Sequence, residues 1–220
     1  MEKEDAPLCF LTEKLEFPPV SRANSEGLLA VGGDLSPERL ILAYKNGIFP
    51  WFNEDSLILW WCPDPRMVLF PSRVRISKSM RKVIKSNIFE IRINTAFEEV
   101  IDFCASIPRA GQEGTWITDQ MKNAYLKLYQ LGMAKSYEVW QDDKLVGGLY
   151  GVDLGHVFCG ESMFSLVDNA SKFALIKLVE ELEQKGYVLI DCQLYTPHLE
   201  LMGAEEIPRE AFLKYLKGQD

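Results

Sequence analysis

Hydrophobic and polar positions change period several times along the chain, and each change marks an element. Ser36-Pro37-Glu38 offers an N-cap followed by proline at the first helical position, and Gly47 follows the apolar positions Leu40, Ile41 and Tyr44, which predicts a helix over 36–46. Met67 to Phe70 reads as a strand stopped by Pro71, and Ser77 can cap a helix whose Met80, Val83 and Ile84 share a face. A strand over Ile88 to Ile93 precedes Thr95-x-x-Glu98, a capping-box pattern that opens a helix with Phe97, Val100, Ile101 and Cys104 inward. A further helix follows Thr118 and stops at Gly132.

From Ala134 the period shortens to two. Ser136 to Trp140, Lys144 to Val152 and His156 to Phe164 alternate and are separated by the turns Asp142-Asp143 and Asp153-Leu154-Gly155, so they predict an antiparallel meander. Asn169 opens a long helix carrying Ala174, Leu178, Val179 and Leu182 and closed by Gly186. Tyr187 to Asp191 is then a nearly continuous apolar run, as expected of a strand buried on both faces. Thr196-Pro197 starts a short helix ending at Gly203, and a strand at Glu206-Ile207 precedes a final helix. The prolines of Cys62-Pro63-Asp64-Pro65 put a domain boundary near residue 65, with a small domain over 1–65 and a larger one over 66–220.

The 220 residues are 47% hydrophobic, enough for a real core, and no segment has the roughly 18 consecutive apolar residues of a membrane helix. The opening MEKEDAPLCF lacks the order of a signal peptide, so a cytoplasmic protein is expected. Five spaced cysteines without a C-x-x-C pair suit a reducing compartment, and two histidines exclude a histidine-rich metal centre; no metal and no cofactor is expected.

Charge alters the picture more than composition does. The net charge of −8 argues against a nucleic-acid partner, yet Arg66, Arg73, Arg75, Lys78, Arg81, Lys82 and Lys85 lie between Asp64 and Glu90 without one acid. This segment carries +7, while the remaining 17 basic and 32 acidic residues leave −15. It is either a solvated helix face or a phosphate-binding one.

Candidate chemistry gathers at one strand end. Asp191 closes the apolar run and Gln193 follows two residues on, so pleat geometry sends a carboxylate and an amide to the same side, where they serve either as a backbone cap or as a site. Glu161 stands in Gly160-Glu161-Ser162-Met163-Phe164, either in water on an open face or buried with a partner. Trp51, Trp60, Trp61 and Trp116 can fill core or stack an unpaired base. Gly32-Gly33, Gly111 to Gly114 and Gly147-Gly148 match no phosphate loop and read as turns and bulges. There is no G-x-S-x-G elbow, and no cysteine has a histidine in motif spacing, so a covalent nucleophile is not expected.

Several stretches together resemble the bacterial leucyl/phenylalanyl-tRNA protein transferases: FPPV (17–20), GLLAVGGDLSPERL (27–40), GIFPWF (47–52), WWCPDPR (60–66), GTWIT (114–118), GESMFS (160–165), NASK (169–172), DCQ (191–193) and GAEEIPR (203–209). The resemblance implies an α+β fold, a small N-terminal domain followed by an N-acetyltransferase-like (GNAT-like) mixed sheet with flanking helices. It implies transfer of leucine or phenylalanine, sometimes methionine, from aminoacyl-tRNA to a protein beginning with Lys or Arg, which marks the product for N-degron degradation, by a monomer without membrane contact. It makes Asp191 and Gln193 the catalytic pair and Glu161 a residue that orients them or the aminoacyl amino group. Phe158, Met163 and Ile190 would line the side-chain pocket, and Trp51 and Trp116 would hold the terminal adenosine. Arg73, Arg75, Lys78, Arg81, Lys82 and Lys85 would grip tRNA phosphates. Leu166 stands where family members commonly have Arg, and Leu201-Met202 where Ser-Leu is usual.

The alternatives are an acetyl-CoA N-acetyltransferase, which would need a glycine-bearing pyrophosphate loop where this chain has Val167 to Lys172, and a non-catalytic tRNA-binding protein, which would have no need of Asp191 and Gln193.

Overall fold

The structure, a computed structural model, describes residues 8–107 and 117–218. The architecture is α+β, built on two sheets. β1 (Cys9–Leu11), β2 (Leu28–Gly32), β3 (Phe49–Pro50) and β4 (Leu59–Trp61) form a four-stranded sheet in the order β1-β2-β4-β3, with helix α1 (Pro37–Lys45) between the second and third strands. Helix α1 starts as its sequence dictates: the Ser36 side chain accepts a hydrogen bond from the Arg39 amide, and Pro37 needs no partner for the N–H it lacks.

The remaining strands, β5 (Arg66–Leu69), β6 (Glu90–Ile93), β7 (Ala134–Gln141), β8 (Lys144–Asp153), β9 (Val157–Ser165), β10 (Leu189–Gln193) and β11 (Glu205–Ile207), make one mixed sheet in the order β11-β5-β10-β9-β8-β7-β6. All neighbours are antiparallel except β9 and β10, which run parallel because a helix joins them. The helices are α2 (Lys78–Ser86), α3 (Phe97–Ser106), α4 (Asp119–Gln130), α5 (Ala170–Gln184), α6 (Pro197–Leu201) and α7 (Arg209–Leu216). The predicted order of meander, helix, strand, helix and strand is observed.

Alternation along the strands feeds two apolar clusters. Tyr150, Leu189 and Val68 belong to one, with α1, α3, α4, α7 and the four-stranded sheet; Leu149, Ile190, Met67 and Leu69 belong to the other, with α2 and α5. Trp60 is fully buried in the first, its indole N–H donating to the Gly32 carbonyl, which settles its role as core.

Two local expectations are corrected. Thr95 and Glu98 do not form a capping box: the Thr95 and Ala96 amides donate to the buried carboxylate of Glu138 on β7, which reaches across to do what the local side chain was expected to do. Gly147-Gly148, expected as a turn or a bulge, is no turn: it lies in the interior of β8, where Val146 beside Gly147 is an extra residue against β7. A Cβ on Gly147 would stand 2.5 Å from the Ala170 Cβ, so the absent side chain lets the start of α5 approach the sheet. At Asp142-Asp143 the expected turn is present, both residues having positive φ as a tight hairpin requires.

Candidate active site

β9 and β10 pair only from Val157–Leu189 to Cys159–Asp191; beyond that point they part, β10 ending within two residues while β9 runs on beside β8 to Ser165. A cavity of 390 Å³ opens there, lined by residues from both faces of the sheet, Phe49 and Tyr150 from one and Leu149, Leu175, Leu178 and Ile190 from the other. The carboxyl ends of parallel strands are where open sheets gather ligands, because the backbone parts there without a neighbour to close it.

Two irregularities set what enters the cavity. Against β8, Tyr150 faces Ser162 and Gly151 faces Gly160, so Glu161 is the extra residue of a β-bulge. A bulge breaks alternation and re-aims its side chain. Glu161 thereby reaches Tyr44 of α1 and Tyr125 of α4, whose hydroxyls donate to its carboxylate at 2.8 and 2.6 Å, and the two hydroxyls lie 2.6 Å from each other. Burial pushes the Glu161 carboxyl up to about 7 against the pull of these hydroxyls, and the charge of Asp191 adds to the rise. Burial and the Glu161 charge hold both tyrosines well above their ordinary range, so they remain donors.

The second irregularity lies in β10. Against β5, Asp191 faces Val68 and Gln193 faces Met67, leaving Cys192 as the extra residue, and Gln193 takes a left-handed φ of 58°. The expectation that pleating sends Asp191 and Gln193 to one side is therefore corrected. Ile190, Cys192 and Gln193 line the cavity and Asp191 does not. The Gln193 side-chain amide comes to 3.5 Å from Glu161 Oε1. Asp191, 1% exposed, turns to the other face, where Arg66 Nε and Nη2 donate to its two oxygens at 2.7 and 2.8 Å, and the Gln193 backbone N–H adds a third bond at 3.0 Å.

Of the other sequence candidates, Met163, Ile190 and Trp51 line the cavity. Trp51 is 38% exposed at its edge, its ring 5.7 Å from that of Trp61, whose indole N–H donates to the Trp51 carbonyl. Phe158 is fully buried against Tyr137 and is not a lining residue. Trp116 lies outside the described residues. Lys78, Arg81, Lys82 and Lys85 stand exposed on α2, and Arg75 is exposed just before it. Arg73 is paired with Glu205 and lies over the Phe70 ring. Arg66 leaves the basic island altogether, since Asp191 neutralises it inside the protein. Leu166 and Leu201 are exposed, whereas Met202 is buried.

Sequence reasoning missed Tyr44, Tyr125, Arg66 and His198. The tyrosines were readable only as core positions of their helices, although most buried hydroxyls have a partner. His198 lines the cavity with its Nε2 buried and without a hydrogen-bond partner among the described residues; burial, then the charge of Lys172, holds it below the ordinary imidazole range. Cys192 also lines the cavity, but burial and then the charge of Asp191 push its thiol far up, which disfavours the thiolate needed for attack.

What this arrangement offers is an apolar cavity on which one carboxylate and one amide converge. The family described as leucyl/phenylalanyl-tRNA protein transferase matches residues 68–217, and that family's N-terminal domain matches residues 33–64. A leucyl/phenylalanyl-tRNA–protein transferase of Flavobacterium johnsoniae is 60% identical over 210 residues, covering 96% of this chain and 99% of its own. Its namesake from Flavobacterium psychrophilum is 57% identical over 208 residues, 94% of this chain and 99% of its own. Among solved structures, a GCN5-related N-acetyltransferase from Kribbella flavida aligns loosely, with 9% identity and a TM-score of 0.38 over 76% of this chain and 59% of its own. On identity at this level over nearly its whole length, the chain belongs to the leucyl/phenylalanyl-tRNA protein transferase family.

Proposed function

We propose that this chain moves leucine, phenylalanine or methionine from aminoacyl-tRNA to the α-amino group of a protein whose first residue is Lys or Arg, and that it does so at the parting of β9 and β10. The observation that carries this reading is the convergence of Glu161 and Gln193 over an apolar cavity. Leu149, Met163, Leu175, Leu178 and Ile190 suit an apolar donor side chain, and Glu161 suits the ammonium group that every aminoacyl ester carries beside its carbonyl. Gln193 supplies a neutral donor and acceptor at the reacting centre.

The reaction asks little more of the protein. The acceptor nitrogen attacks the ester carbonyl, the C–N bond forms, the C–O bond to the ribose breaks, and the amine proton ends on the departing ribose oxygen. The ester is already activated, and an α-amino group of pKa about 7.7 to 8.0 is partly neutral at cellular pH. Holding amine and ester together supplies much of the acceleration. Asp191, out of reach of the cavity, serves by fixing the Gln193 backbone. Trp51 offers a half-open face for the terminal base, and Arg75, Lys78, Arg81, Lys82 and Lys85 offer charge for the phosphates. The protein acts as a monomer in the cytoplasm, where charged tRNA is found, and its product enters the N-degron pathway. Among the described residues no helix is long and apolar enough to cross a membrane.

The test is transfer of labelled leucine, phenylalanine or methionine from charged tRNA to peptides beginning with Lys, Arg or Ala. Label should appear on the Lys and Arg peptides only; no transfer from any donor, with tRNA still bound, sinks the reading. Reversing Arg81 and Lys82 to Glu should weaken tRNA binding about ten-fold and reduce the slope of log affinity against log salt by roughly 1 to 2. An unchanged slope in a salt titration would remove α2 from the tRNA path.

A further inference from the structure

We propose that Arg66 is a positioning residue of the transfer reaction: through Asp191 it holds Gln193 in the left-handed conformation that carries the Gln193 amide to Glu161. The proposal rests on the reading of the site given above. Arg66 is 1% exposed and does not line the cavity, so direct contact with either substrate is not open to it. Its guanidinium lies between the rings of Phe49 and Phe212, 4.8 and 4.7 Å from their centroids, and faces Asp191 with two parallel bonds. The planar fork and the two stacked rings together fix the carboxylate in one orientation, which the single flexible ammonium of a lysine cannot reproduce.

What the fixed carboxylate then does is local. Its Oδ1 accepts the Gln193 N–H at 3.0 Å, two residues along, where the chain has stepped out of register with β5 and Gln193 has entered a region of φ that L-residues avoid. A non-glycine residue stays there only while its surroundings over-determine it. Without the bond from Asp191 the strand would relax toward extended backbone, and the Gln193 amide would leave its place 3.5 Å from Glu161. Stability alone does not account for the pair, because apolar residues of similar size replace buried ion pairs at little or no cost in stability.

Two variants and two measurements separate positioning from structure. In Arg66→Lys the Asp191 side chain remains. Hydrogen exchange at the Gln193 amide should speed up about ten-fold, and kcat should fall about ten-fold with KM for aminoacyl-tRNA within about two-fold of the parent's. The double variant Arg66→Met with Asp191→Leu removes both charges, so it should melt close to the parent yet stay at least about ten-fold slow. A merely structural pair predicts that the stable double variant regains parental kcat, and that result overturns the proposal. So does unchanged Gln193 exchange in Arg66→Lys, a measurement that needs no transfer at all. Absence of transfer in the parent would count against the reaction itself, and the exchange rate would still decide whether Arg66 holds Gln193.

Discussion

Replacing Asp191 with alanine should destabilise the protein by roughly 3 to 5 kcal/mol, because it leaves the Arg66 guanidinium buried without a counter-charge. The two groups are each 1% exposed, and Arg66 Nη1 has no hydrogen-bond partner among the described residues, so no neighbouring carbonyl there is at hand to replace the carboxylate. The flanking rings of Phe49 and Phe212 offer only their faces. For a chain of this length the melting temperature should drop by roughly 10 °C. Asp191→Asn should cost less, since its amide oxygen can still accept one Arg66 donor. Thermal melts of the two variants check this, and an alanine variant within about 1 kcal/mol of the parent would show that the pair is solvated in a way the packing does not provide. Loss of transfer in Asp191→Ala is consequently a poor measure of chemistry, whereas Gln193, half-exposed at the cavity, can be truncated without orphaning a charge.

Much of the scaffold was legible because its signals are local. Ser36, Ser77, Thr118 and Thr196 each cap the helix that their side chains predict, since an N-cap reaches only two or three residues. The capping box at Thr95 failed for the opposite reason: Glu138 supplies the acceptor from more than forty residues away. The site behaves like that box. Tyr44 and Tyr125 reach Glu161 from two separate helices, and Arg66 and Asp191 stand 125 residues apart in the chain. No spacing rule joins them.

The bulges are the deeper reason the site was only partly visible. Glu161 and Cys192 are each one residue too many for the ladder they belong to, and a single extra residue inverts the alternation on which side-chain direction is read. Asp191 and Gln193 meet only through the Gln193 backbone N–H, because the pleat that was to bring their side chains together is interrupted between them. The sequence does carry one hint: Arg66 directly before one apolar run and Asp191 closing another put opposite charges where neither could remain alone.

Glu161→Gln should lower transfer about 100-fold while making the folded chain more stable above neutral pH. The loss follows from removing the only carboxylate that lines the cavity among the described residues, a charged acceptor worth about 1.5 to 3 kcal/mol to a donor ammonium. The gain follows from burial, which raises the Glu161 carboxyl from 4.5 to about 7. Between those values the folded chain holds a proton that the unfolded chain has released, so stability contributed by this group is full below about 4.5 and declines as pH rises, the loss being complete above about 7. Of the groups bonded or coupled to it, Tyr44 and Tyr125 keep their protons, as does the Cys159 thiol, which burial and the Asp191 charge hold far up; His198, which lines the same cavity and is held below the ordinary imidazole range, is common to variant and parent. Arg66 contributes a fixed positive charge from behind. Glutamine can still accept from one tyrosine and donate to the other, and it has no charge to desolvate. The difference in stability between variant and parent should therefore be small at pH 5 and reach on the order of 1 to 3 kcal/mol at pH 8. Paired melts at the two pH values read the stability, and transfer rates read the cost. A variant that transfers at the parental rate removes Glu161 from the donor site, and one whose advantage does not grow with pH shows that the carboxylate was never penalised by its burial.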